Sequence, residues 1–251
     1  MQILGAPLRH FGYNRGWAVF FVFGTLMFAA AAVVTLTVLR HDFELWQQAF
    51  AVALMLLNAY VLVQTVVSSA TVCEMGLRYK TPRSRGEMWW SDVEKFRYSV
   101  VTTYHGFIWT TRYGMTLTDK DGRKVKLGSD LEHPKELAAM LWSKLQSPLF
   151  AKLLAAYESG QTVDLGEIKI SREGFQIKIG LRKVVVPTAS VLGCSIDSGI
   201  FTVGALVNGK VKNYGVFMRS VDNAFPLMEL INTKIVQPQT REQALAAGAG
   251  R

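Results

Sequence analysis

Residues 75–80 read MGLRYK, and residues 173–178 read EGFQIK. Each is a short alternating run with glycine in second place, and each ends in a cation. Alternation over this length is the signature of a half-buried β-strand, and its recurrence is the first sign that the chain repeats itself. After Met75–Lys80 comes the break Thr81–Pro82, then aromatic and β-branched stretches at residues 89–103 and 106–111. YGMTLT, DKDG and RKVKL then spell a hairpin around Asp121–Gly122. After EGFQIK, the strand-like KVVVPTASVLGCSI is followed by FTVGALV, NG and KVKNYGVFM, a hairpin around Asn208–Gly209.

Both series close on a helical pattern. In the first, Ser129 or Asp130 is positioned to cap, Pro134 suits the first turn, and Leu137, Met140, Leu141 and Leu145 form an apolar stripe. Pro148 interrupts that pattern, and a second helical piece, LFAKLLAAYES, runs to Gly160. In the second series Asp222 or Asn223 is positioned to cap a helix carrying Phe225, Leu227, Met228, Leu230 and Ile231. Matching landmarks lie 98 residues apart for Gly76 and Gly174, 87 for Gly122 and Gly209, and 92 for Pro134 and Pro226. The reading is an internal duplication of a mostly-β unit closed by a helix.

Upstream the pattern changes. Residues 17–39, WAVFFVFGTLMFAAAAVVTLTVL, contain no charge, and at 1.5 Å per residue they span roughly 34 Å. Residues 45–73 form a second uncharged run, densest at 49–67, after the stretch RHDFE. The first run exceeds the length of a signal-peptide core. The expectation is therefore a transmembrane hairpin of two helices, 17–39 and 45–73. Arg9 and Arg15 precede it, Arg78, Lys80, Arg83 and Arg85 follow it, and Arg40 stands alone between. The positive-inside rule then predicts both termini in the cytoplasm and a multi-pass protein of the plasma (inner) membrane. Gln47, Gln48, Asn58 and Gln64 are polar residues in the second run, with Asn58 and Gln64 deep enough to need hydrogen-bond partners.

Charge and cysteine content narrow the partners. Three of the 28 basic and two of the 19 acidic side chains precede residue 74, which leaves 25 against 17, a net +8 on the remainder. Such an excess favours anionic partners such as lipid headgroups without singling out nucleic acid. Cys73 and Cys194 are far apart and lack a partner at metal-ligand spacing, which predicts buried thiols and no disulfide framework.

A strand-rich unit of about 80 residues ending in one amphipathic helix suits a bent sheet or partial barrel with a helix over one end. On the motifs Gly76–Leu77 and Gly174–Phe175 and the two hairpins, residues 70–235 resemble bacterial membrane proteins with tandem pleckstrin-homology-like domains. The motif Trp90–Ser91–Asp92–Val93 is replaced by Pro187–Thr188–Ala189–Ser190–Val191 in the second copy, so the match is degenerate. The expected organisation is an α+β chain: an N-terminal segment 1–16, the helical hairpin, pleckstrin-homology-like domains at 74–147 and 161–235, a linker helix at 148–160 and a flexible tail at 236–251. The resemblance implies a fold more than an activity.

The candidate headgroup ligands are Lys80, Arg83 and Arg85 in the first inter-strand loop and Arg182 and Lys183 in its counterpart, since cations on a turn can grip a phosphate. Arg123, Lys124, Lys126, Lys210 and Lys212 read as solvated strand faces. The aromatics Trp89, Trp90, Phe96, Tyr98, Tyr104, Phe107, Trp109 and Tyr113 read mainly as core, with Tyr104–His105–Gly106–Phe107 as an exposed loop. His10, His41, His105 and His133 are scattered, and HExxH, GxSxG, P-loop and dinucleotide spacings are missing. No catalytic, cofactor or metal site is expected. The expected function is non-enzymatic scaffolding through protein partners or self-assembly. The alternatives are a sensor of anionic lipid and a small transporter or channel subunit built on Asn58.

Overall fold

The computed structural model describes residues 4–37, 45–106 and 108–236. The chain enters through β1 (Pro7–Phe11), rises into two helices, α1 (Arg15–Thr37) and α2 (Leu45–Val67), and returns through β2 (Ser69–Cys73), β3 (Gly76–Lys80) and β4 (Arg85–Trp89). These strands form one antiparallel sheet in the order β1-β2-β3-β4. Phe11 pairs with Ala70 and Val72 with Leu77, and all four are buried. Gly76 opens β3 because a Cβ there would sit 2.4 Å from the Met88 carbonyl oxygen of the next strand.

The helical run is where expectation and structure part. Residues 69–73, counted in the second apolar run, are strand β2, hydrogen-bonded between β1 and β3. The second helix therefore stops at Val67, and its 23 residues include Gln47, Gln48, Asn58 and Gln64. Among the described residues no helix is long and apolar enough to cross a membrane. This overturns the N-terminal transmembrane hairpin in the expected fold class. With it go the transmembrane and integral-membrane assignments and the two-helix, N-in/C-in placement in the plasma (inner) membrane. The connection at 38–44 lies outside the described residues.

A second sheet follows, β5 (Val93–His105), β6 (Ile108–Asp119) and β7 (Lys124–Gly128), and then α3 (Pro134–Glu158). The helix passes through Pro148 without ending. Buried leucines at 137, 141, 145, 149 and 153 recur every fourth residue, so the apolar face continues past the proline and outweighs one missing amide donor. The order then repeats. β8 (Val163–Asp164), β9 (Ile168–Ile170), β10 (Gly174–Ile179) and β11 (Arg182–Pro187) make a four-stranded sheet. β12 (Val191–Asp197), β13 (Ile200–Val207) and β14 (Lys210–Phe217) make a three-stranded one. The closing helix is α4 (Ala224–Leu230), continued by a π-helical turn, Ile231–Val236.

Four strands, three strands and a helix thus occur twice. In the second series β8 and β9 are joined by residues 165–167, whereas in the first the same junction, β1 to β2, holds α1 and α2. Gly174 repeats the constraint at Gly76, since its Cβ would lie 2.6 Å from the Val186 carbonyl oxygen. Asn208 and Gly209, at φ 53° and 72°, close a two-residue hairpin between Val207 and Lys210, because both loop positions of that turn need positive φ.

The chain divides into two compact units: Met1–Trp89 with Leu127–Leu137, and Trp90–Lys126 with Ala138–Arg251. The second unit has a contiguous core that includes Ile168, Phe175, Ile177, Phe201, Val203, Leu227 and Leu230, all at 0 % exposure. Within it, Asn223 joins β5 to the start of α4. Its amide oxygen accepts the Phe96 N–H at 2.8 Å, its amide nitrogen donates to the Glu94 carbonyl at 2.9 Å, and its own N–H donates to the Phe96 carbonyl at 2.8 Å. Asn223 stands at the helix N-cap position with φ 52° and makes no side-chain cap bond. One asparagine therefore completes the edge of β5 in place of a strand.

Candidate functional site

The outward face of the β5–β6–β7 sheet carries a polar pattern that strand alternation dictates. On β5, Phe96 points into the core, which leaves Lys95, Arg97 and Ser99 on the other face. On β6, Leu117 is buried, and Thr116 and Thr118 share the face of Lys95 and Arg97. On β7, Val125 and Leu127 are buried while Lys124 and Lys126 are exposed. The register sets Lys95 opposite Thr118, Arg97 opposite Thr116 and Ser99 opposite Gly114. Two cationic rows therefore flank a row of hydroxyls.

This face is the floor of a cleft of about 820 Å³ in the second unit, walled by Asp164, Gly166, Arg219 and Asp222. Gly166, at φ 88°, lets the wall close: a Cβ there would lie 2.4 Å from the Ser220 carbonyl oxygen. Cations at 95, 97, 120, 124, 126 and 219 line the cleft, together with carboxylates at 94, 119, 164 and 222.

Three of those carboxylates are taken up by the fold. Asp222, 8 % exposed, receives Arg97 at 2.7 Å and Lys95 at 3.5 Å. Asp119, 1 % exposed, accepts Arg123 Nε at 2.6 Å and the N–H groups of Asp121 and Arg123 at 3.0 and 2.8 Å. Burial works to raise the Asp119 carboxyl, but the bonds and charge of Arg123 outweigh it, and the group titrates below the ordinary aspartate value. Asp164 accepts Lys169 at 2.7 Å and the Gly166 N–H at 3.0 Å, and these bonds hold it low as well. Lys120 is held above its ordinary value, first by its hydrogen bond to Asp92. Arg219 lies over the Phe217 ring, 4.9 Å from its centroid.

The residues singled out from sequence lie elsewhere. Lys80 ends β3, Arg85 begins β4 opposite it, and Arg83 sits on the turn between them, all three exposed. That turn satisfies itself: Thr81 N–H donates to the Ser84 carbonyl at 2.7 Å, and Ser84 N–H returns to Thr81 at 3.3 Å. The Thr81 and Ser84 donors are thus used within the turn. Arg182 and Lys183 are exposed at the start of β11, the terminal strand of its sheet. Lys80 borders a separate hollow of about 370 Å³ with His10, Arg15 and Glu132. Asn58 packs on α1, its amide nitrogen 2.5 Å from where a Cβ of Gly24 would lie, so it belongs to the hairpin's own seam. Gln64 lies on α2, and its side chain is outside the described residues.

Of the aromatic stretch, Trp90 and Phe96 are buried, Tyr98 packs on the second unit's core, and Tyr104 is 53 % exposed. Phe107 and the side chains of His105 and Trp109 lie outside the described residues. Cys194 is hydrogen-bonded to the Met228 carbonyl and to Asn232, and burial pushes its thiol up to about 12. Cys73 is buried. Lys124 and Lys126 were legible as a strand face, whereas Lys95, Arg97 and Arg219 were not assembled with them. The signal available was the shared alternation of residues 95–99, 116–118 and 124–126, but only the register shows that these runs are neighbours.

The model of a family described as "Family of unknown function (DUF6585)" matches residues 1–240. No curated protein matches the chain.

Proposed function

We propose that this chain, which belongs to the DUF6585 family of unknown function, is a non-catalytic scaffold that self-assembles through the α1–α2 hairpin. The carrying observation is the apolar face the hairpin leaves uncovered. Phe23, Leu26 and Met27 on α1 are 65 %, 64 % and 58 % exposed, and Phe50, Leu57 and Tyr60 on α2 are 60 %, 58 % and 57 % exposed. At on the order of 100 Å² each, these six alone offer about 600 Å², which reaches the largest patch usual on a monomer. The area is comparable to the roughly 800 Å² that each partner contributes to a stable interface.

The occupant we propose is the same hairpin of a second copy. Val19, Phe23, Leu26 and Val34 recur at helical spacing along one side of α1. The opposite side, with Ala18 and Ala32 buried, packs on α2. Two such hairpins would pair as a four-helix bundle, with each apolar face closing on its copy. No charge within either helix after Arg15 opposes that pairing. The position of the hairpin supports the reading too, since the second repeat closes the same junction with three residues and the fold does not need the helices.

The test is the mass of the full-length protein by native mass spectrometry, with Phe23→Glu/Leu57→Glu as the variant. A dimer that the double substitution converts to monomer is expected. A wild-type monomer whose hairpin carries lipid or detergent instead would overturn the proposal.

A further inference from the structure

The cleft on the second unit has the construction of a ligand site, and it is independent of the hairpin. Its floor is a single sheet, so its donors are fixed relative to one another by the strand register. Adjacent strands lie about 4.8 Å apart, which sets the cation row of β5 and that of β7 roughly 9.6 Å apart across the hydroxyls of β6. Long cationic side chains rise on both sides, and the short Thr116 and Thr118 lie between them. The result is a trough rather than a point site. Along each strand, alternate residues are roughly 6.6 Å apart, so Lys124 and Lys126 present two separate charges along the trough's axis.

The charge inventory matters more than the total. Asp119, Asp164 and Asp222 are engaged by Arg123, Lys169 and the Arg97–Lys95 pair. Neither Lys124 nor Lys126 forms an ion pair among the described residues, and Arg219 is stacked on Phe217 with its guanidinium edge open to bonding. Solvated lysines on a strand face are common. Here they face a walled volume of about 820 Å³ that also holds hydroxyl donors. That volume lies within the usual range for small-molecule sites, and its lining carries charged and hydroxyl groups.

The second repeat shows that the fold does not require this pattern. Counting from Val93 and from Val191, the positions of Lys95 and Arg97 on β5 are taken by Gly193 and Ser195 on β12. The cationic row of β5 is a property of the first-repeat sheet alone.

We propose that this cleft binds a small molecule carrying two or more linked phosphoryl groups. Lys124, Lys126 and Arg219 supply the charge, and Thr116 and Thr118 donate hydroxyl hydrogen bonds from the floor. A linked chain of phosphoryl groups meets the β7 lysines and Arg219 at once, whereas a single phosphate reaches only part of the trough. Charge-assisted bonds of this kind are strong and sensitive to salt.

The experiment is isothermal titration of the full-length protein with tripolyphosphate, with orthophosphate and with a nucleoside triphosphate. Tripolyphosphate should bind at least about tenfold more tightly than orthophosphate, in keeping with additional charge-assisted contacts. Lys124→Gln/Lys126→Gln, both exposed, should lose at least about tenfold in affinity, while Arg83→Gln in the β3–β4 turn of the first unit should change nothing. Tighter binding of the nucleoside triphosphate would place part of the recognition on the organic group. Equal binding to tripolyphosphate and tighter binding than orthophosphate would assign it to the phosphoryl chain. No binding of either oligophosphate, or an unchanged affinity in the lysine double variant, would overturn the proposal. Both results are independent of whether the chain is monomer or dimer.

Discussion

Asn223→Ala tests how the second unit is held together. The asparagine bonds the Phe96 N–H and the Glu94 carbonyl through its side chain and the Phe96 carbonyl through its N–H, all at 2.8–2.9 Å. Truncation leaves one buried donor and one carbonyl without a partner, at about 1–3 kcal/mol each. It also places alanine at φ 52°, which costs a further 1 kcal/mol or so. The expected loss is about 3–7 kcal/mol. Asn223→Gly removes the bonds but accepts the backbone, so it should be milder by about 1 kcal/mol. Asn223→Asp keeps the acceptor for Phe96 and loses the donor to Glu94, and should fall between Gly and wild type. With a urea slope of roughly 2–3 kcal/mol/M, alanine should lower the unfolding midpoint by about 2 M. Hydrogen exchange in residues 93–98 should report the same order locally. If alanine stays within about 0.5 kcal/mol of wild type, or if glycine is the worse of the two, the side chain does not carry the junction.

Three further expectations are simple to check. Gly76→Ala and Gly174→Ala each push a Cβ to 2.4 and 2.6 Å from a neighbouring carbonyl oxygen, so each should destabilise by about 1–3 kcal/mol in urea. Gly122→Ala meets no atom within 4 Å and should cost only its positive φ, about 1 kcal/mol. Asp119 titrates below its ordinary value in the folded chain. Its stabilising contribution is therefore complete above the unfolded aspartate value near 3.9 and is lost as pH falls through the lower folded value. Asp119→Asn should flatten the acid limb of a stability–pH curve, and an unchanged limb would contradict the geometry. With its thiol pushed up to about 12, Cys194 should resist alkylation at pH 8 until the chain unfolds, and rapid native labelling followed by mass spectrometry would show otherwise.

Much of the strand order was legible because it was carried by local chemistry. Gly76 and Gly174 mark the same close backbone approach in both repeats, and Asn208–Gly209 demands a two-residue turn whatever surrounds it. β1 was hidden because its partner β2 lies across the inserted helices, at a separation where pairing leaves no local trace. The end of α2 was misread for a related reason. Residues 69–73 are apolar and uncharged whether they extend a helix or fill a strand, and only the sheet on either side decides. Asn223 was legible as a helix cap, yet its side chain bonds a strand more than 120 residues earlier. The cleft shows the same limit: alternation placed Lys124 and Lys126 on a face, but which strand lay beside them depended on the register.

The most direct test of the central claim is the native mass of the full-length protein, measured beside Phe23→Glu/Leu57→Glu. The account predicts a wild-type dimer and a folded monomer for the variant. A wild-type monomer with its hairpin covered by lipid or detergent, or a dimer that survives both glutamates, would contradict it.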